Sequence, residues 1–300
     1  MEKLVLVMLM GLILINGIGY GQNLISNPSF ETGTIGQIPN GWGSYMDEGY
    51  LTLDNSTFHS GMNSLKGDHS PQTGKNKWRS LYYLDNNTKS IPYASYELSA
   101  WVKGLNGNEW VNIGFWRGAG VEIEYIGNAG LAVLTSKVWT NYKTEITLLT
   151  ADAIGISIVG AESRPISDVY WIDDISFSLI RTKDQNKVYY TNILNDINAS
   201  PELKAEANHF FADLYQYMEK DYIKAIPYLE PMNTIDSNER IGDMKLELLD
   251  LAGTKTAYSK AQAMAITQGL ADKVKTLGNK IEGVNLAIKQ NQPEPAPTTP

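Results

Sequence analysis

The chain has no cysteine among its 300 residues. That excludes a disulfide framework and a lipid-anchoring thiol, so outside the cytoplasm the fold would rest on its core or on a bound metal. Histidine is scarce as well. His59, His69 and His209 are scattered, and no spacing among them resembles a metal motif or a nucleophile–base pair. No phosphate-binding Walker loop, dinucleotide fingerprint or strand–GxSxG–helix occurs. Glu122 and Glu124 fall on one face of one strand, a poor match to carboxylates that must flank a glycosidic bond. A cationic excess is missing too: the formal charge is −8 and the pI near 5.0, which argues against nucleic acid and anionic membrane surfaces as partners.

What is present begins with a leader. Residues 1–21, MEKLVLVMLMGLILINGIGYG, carry an early lysine, an uncharged run from Leu4 to Ile15, then small and turn-forming residues. This is the three-part pattern of a secretory signal, and the run breaks at Asn16, short of the ~20 apolar residues of a membrane span. A retained anchor is the alternative. The expected location is secreted, periplasmic or cell-surface.

The rest splits by composition. All seven tryptophans precede Leu179, and 21 of the 26 glycines precede Arg181. Period-2 runs such as YELSAWVK (96–103), EWVNIGFW (109–116) and AIGISIVG (153–160) are separated by Gly, Asn, Ser and Pro clusters, which predicts an antiparallel β-sandwich over residues 22–180. Helical spacing takes over in residues 181–290, where Ser200 and Pro201 read as N-cap and first helical position. Leu270, Val274, Leu277, Ile281, Val284 and Ile288 form a short heptad seam, and folding back as an antiparallel hairpin or small bundle is favoured over self-association. The stripes suit a spacer or a protein-docking element. Residues 291–300 are a Pro/Thr-rich extended tail.

Alternation places two tryptophans away from the core. In YELSAWVK, Glu97, Ser99, Trp101 and Lys103 oppose Tyr96, Leu98, Ala100 and Val102; in WVNIGFWRG, Asn112, Gly114 and Trp116 oppose Val111, Ile113 and Phe115. A tryptophan ring among amide and charged neighbours suits the C–H face and hydroxyl rim of a sugar. Trp101 and Trp116 are therefore candidate ligand contacts, with Glu97, Asn112, Arg79 and Tyr82 as weaker ones. The competing reading is that these aromatics pack under loops, as Trp42, Trp139 and Trp171 are expected to do.

Six segments occur in a telling order: NLISNPSFETG (23–33), PNGW (39–42), FHSGMNSLKG (58–67), YELSAWVKG (96–104), VWTNYKTEI (138–146) and VYWIDDISF (169–177). In this the chain resembles carbohydrate-binding modules of families four, nine and twenty-two, from Asn23 to about Leu179. The resemblance implies an all-β jelly-roll sandwich of the galactose-binding-like type, with first and last strands adjacent and a structural calcium where they meet. Calcium takes six to eight hard oxygen ligands, and Glu31, Asp173 and Asp174 are the available carboxylates; by resemblance, oxygens of the HSG loop, Ser60 and Gly61, complete the set. The implied function is a non-catalytic module binding a polysaccharide or glycan. Two further readings stay open: a structural or adhesin-like surface protein using the sandwich for protein contacts, and a polysaccharide-active enzyme.

Overall fold

The computed structural model describes residues 21–45, 51–68, 80–117, 124–149, 153–160 and 169–291. The leader up to residue 20, the tail from residue 292, and Trp78, Arg79 and Glu122 lie outside the described residues, as do the side chains of Tyr82, Trp116 and Glu124. Among the described residues no helix is long and apolar enough to cross a membrane. The chain divides into two compact units after Asn186, six residues beyond the expected end of the sandwich at 180.

Among the described residues the first unit contains ten strands: β1 (Gly43–Tyr45), β2 (Leu51–Asp54), β3 (Ser64–Asp68), β4 (Ser80–Lys89), β5 (Ala94–Gly104), β6 (Trp110–Arg117), β7 (Glu124–Leu134), β8 (Thr140–Leu148), β9 (Ala153–Gly160) and β10 (Val169–Arg181). They form two five-stranded sheets, ordered β1-β4-β9-β6-β7 (sheet I) and β2-β3-β10-β5-β8 (sheet II), and every pairing is antiparallel. The expected all-β jelly-roll sandwich followed by helices is what the chain forms. Strand alternation explains the layering. Tyr96, Leu98, Ala100 and Val102 of β5 are fully buried and face Val111, Ile113, Ile156 and Ile158 of sheet I in one core, while the intervening residues of β5 stay partly exposed.

The opening NLISNPSF segment closes this core rather than trailing from it. Its backbone runs beside β10, with Leu24 N–H donating to the Phe177 carbonyl at 2.8 Å and Ile175 N–H to the Pro28 carbonyl at 2.9 Å. The Asn23 side chain reinforces the seam, donating to the Ile175 carbonyl and accepting from Phe177 N–H. Phe30 then turns inward and is fully buried against Trp42, whose ring also meets Tyr83. First segment and last strand are adjacent, as the sequence resemblance implies.

The second unit is helical: α1 (Lys183–Asn195), which starts in the first unit, α2 (Pro201–Asp213), α3 (Tyr222–Leu229), α4 (Ile235–Glu247), α5 (Leu251–Thr267) and α6 (Ala271–Gln290). The Ser200 hydroxyl accepts from Leu203 N–H with Pro201 at the first turn, the cap legible in the sequence. The heptad seam of α6 is used internally, Leu277 and Val284 packing with Tyr258, Ala261 and Ala265 of α5. Across the exposed rim, Lys280 bridges Glu239 and Asp243.

Candidate functional site

At the meeting of first segment and last strand, the expected metal carboxylates gather around one loop, residues 59–63. Pairing between β10 and β5 slips between Asp173 and Ser176, and Asp174 takes a left-handed backbone at φ 48°, so the two neighbouring acids part company. Asp173 is fully buried, its carboxylate accepting from the N–H groups of His59 (2.9 Å), Ser60 (3.0 Å) and Asp174 (2.8 Å). Burial pushes its pKa up to about 6 against those donors. Asp174 remains partly exposed, meeting His59 Nδ1 at 2.8 Å and accepting from the Ser60 hydroxyl at 2.8 Å. Burial works against its charge too, but the bonds from His59, Ser60 and Ser29 outweigh it and hold the carboxyl below its ordinary value. Glu31, exposed, accepts from Met62 and Asn63 N–H on the other flank of the loop. Gly61 sits between, at φ 62°, where a Cβ would overlap the Glu31 carboxylate.

As a donor set, the exposed Glu31 and the partly exposed Asp174 are hard oxygens with lone pairs beyond their present bonds, which suits calcium; Asp173, enclosed and taken up by three N–H groups, does not. Among the described residues no three metal-ligating side chains cluster, so backbone and hydroxyl oxygens would have to supply the rest.

The sugar-contact candidates fall on two different sheets. Trp101 and Glu97 belong to the outer face of sheet II. There the His59 ring stacks on Trp101 at 3.8 Å and 15°, and Trp139 meets His59 edge-on at 5.8 Å. Glu97 pairs with Lys143 at 3.5 Å. Trp171, on the same face, is largely buried and donates its indole N–H to Asp54. This face is therefore occupied by its own side chains.

Asn112, Tyr82 and Trp116 belong to sheet I. Inward parity is fixed by the buried Val111, Ile113, Ile156, Ile158 and Tyr83. Register then aligns successive rows across the opposite face: position 82 with Ser157, Gly114 and Gly130, position 116 with Gly155 and Tyr125, and Asn112 with Val159 and Ala132. Glycine and serine form the floor between these positions, with Gly114, Gly155 and Ser157 all buried. The same parity runs one step beyond Asn112, to Trp110, which pairs with the exposed Leu134. Period-2 counting alone could have found it.

No family model matches the chain. Among curated proteins it is 32% identical, over 178 residues and 58% of its length, to endo-1,4-beta-xylanase A of Thermoanaerobacterium saccharolyticum. The chain spans 14% of that enzyme. Among solved structures it is similar to the CBM22-1 xylan-binding domain from Paenibacillus barcinonensis Xyn10C, with a TM-score of 0.38 and 17% identity, covering 51% of this chain and 92% of that one. It is also similar to a family 16 carbohydrate-binding module, with a TM-score of 0.37 and 17% identity over 52% of this chain and 99% of that one.

Proposed function

We propose that the sandwich is a non-catalytic carbohydrate-binding module of a secreted or surface protein, and that it binds a linear polysaccharide across the outer face of sheet I. The observation that carries this is the register placing Trp110, Asn112, position 116 and position 82 on one face, around a Gly114–Ser157–Gly155 floor. Aromatic rings give stacking area for the C–H faces of pyranoses. The segment shared with a xylanase makes a β-1,4-linked xylan the first ligand to test. A structural calcium, held by Glu31 and Asp174 with oxygens of the 59–63 loop, would clamp the first segment to β10 and take no part in sugar contact.

Titration of xylan and xylo-oligosaccharides into the full chain and into Trp116→Ala checks the reading. Binding that disappears in Trp116→Ala supports it; binding that survives there but is lost in Trp101→Ala moves the site to sheet II.

A further inference from the structure

At the far edge of sheet I, the turn before β6 and the end of β7 are locked together around one buried acid. Glu109 is fully buried, and its carboxylate accepts from the N–H groups of Asn106 (2.6 Å), Gly107 (3.0 Å) and Asn108 (3.1 Å) and from the Thr135 hydroxyl (2.5 Å). Backbone bonds complete the lock: Thr135 N–H donates to the Glu109 carbonyl at 2.8 Å, and Gly104 N–H to the Ser136 carbonyl at 2.7 Å. The Tyr142 hydroxyl fastens the Leu134 carbonyl at 3.0 Å. What this rigid corner presents outward is apolar. Leu134 is 55% exposed beside the partly exposed Trp110, with Ala132 exposed in the next row.

We infer that the Trp110–Leu134 shelf is an additional sugar subsite at the edge strand, receiving the apolar face of a pyranose that extends beyond the rows of Asn112 and position 116. The shelf continues those rows by register, so a sugar chain lying along β6 reaches it without leaving the face. Its surroundings suit a neutral polyol better than a charged peptide: Asn106 and Asn108 are exposed in the turn leading to Trp110, Asn112 stands in the next row, and the acid of that turn, Glu109, is enclosed. A tryptophan backed by a locked turn also loses little freedom when a ligand stacks on it.

This inference rests on the sheet I reading, and the test separates the two. Calorimetric titration of the full chain with xylotriose and xylohexaose is compared for the wild type, Trp110→Ala, Leu134→Asn and Trp116→Ala. The expected result is a roughly five- to tenfold loss of hexaose affinity in Trp110→Ala, a smaller loss in Leu134→Asn, and triose affinity within about twofold of wild type in both. Leu134→Asn decides the matter should Trp110→Ala fail to fold, because an exposed leucine carries little of the core. Unchanged hexaose affinity in both shelf variants, with binding lost in Trp116→Ala, overturns the subsite and leaves the sheet I reading standing. Equal loss for both sugar lengths assigns Trp110 to the central platform and also overturns it. Binding indifferent to Trp116→Ala, or no binding of either sugar by the wild type, overturns the sheet I reading and the subsite together.

Discussion

The imidazole of His59 lies parallel to the indole of Trp101, their centroids 3.8 Å apart and their planes 15° from each other. One face of Trp101 is thereby covered by the chain itself, and His59 is in turn held by Asp174 at 2.8 Å. A sugar stacking on that face would first have to displace an imidazole tied to a carboxylate.

Trp101→Ala should therefore lower stability without weakening sugar binding. Losing a half-buried indole with its stacked partner costs about 2–4 kcal/mol. Thermal melting together with a xylan titration reads both quantities, and a selective loss of affinity with unchanged melting would show the ring to be a ligand contact after all.

A second expectation concerns where the sandwich ends. Asn186, in the first turn of α1, is fully buried; its amide donates to the Tyr93 carbonyl at 2.8 Å and its oxygen accepts from Ser95 Oγ at 3.1 Å and Arg181 Nε at 2.8 Å. Asn186→Ala removes three hydrogen bonds and should cost about 1–3 kcal/mol in the full chain. A fragment of residues 22–180 lacks this plug and should melt well below one of residues 22–195. Equal melting of the two fragments would place the boundary at 180, where composition alone puts it.

Alternation and composition reveal what is local in the chain and not what depends on the fold. The inward set of β5 was legible because period-2 spacing is a local property, and so was the Ser200 cap, which needs only its own turn. Which sheet a strand joins is not local. Positions 101 and 116 both oppose apolar neighbours, yet β5 and β6 are consecutive strands in opposite sheets, so the two positions belong to opposite sides of the sandwich. The separation of Asp173 from Asp174 depends on a bulge and a left-handed residue that no spacing announces. An acid before a strand reads as solvated in sequence, and only tertiary contact with Thr135 shows Glu109 enclosed.

Glu109 should also make stability acid-sensitive. Burial opposes its charge, but the Thr135 hydroxyl and the N–H groups of the 106–109 turn prevail and lower its pKa from 4.5. A carboxyl depressed on folding stabilises the native state above its unfolded value, and that contribution disappears as pH falls through the folded value. Wild-type melting should thus decline below about pH 4.5, whereas Glu109→Gln should be about 1–3 kcal/mol less stable at pH 7 and show a flatter acid limb. Parallel acid limbs in a pH series of melts would remove Glu109 from this role.

The calcium assignment makes the last prediction, and it distinguishes two neighbouring aspartates. If Glu31 and Asp174 hold one ion through the 59–63 loop, calcium at a hundredfold excess over its dissociation constant should add roughly 3 kcal/mol to the sandwich, because the unfolded chain lacks the site. Chelation should lower the melting temperature accordingly, and Glu31→Gln or Asp174→Asn should abolish the difference between calcium and chelator. Asp173→Asn should behave otherwise. Its carboxylate receives three N–H groups in a closed pocket, so the variant loses stability in calcium and in chelator alike while the increment between the two conditions persists. Melting curves of the four proteins with calcium and with chelator decide it. An increment lost in Asp173→Asn but kept in Asp174→Asn would exchange the two roles, and a wild-type melt indifferent to calcium would mean that hydrogen bonds alone close this junction.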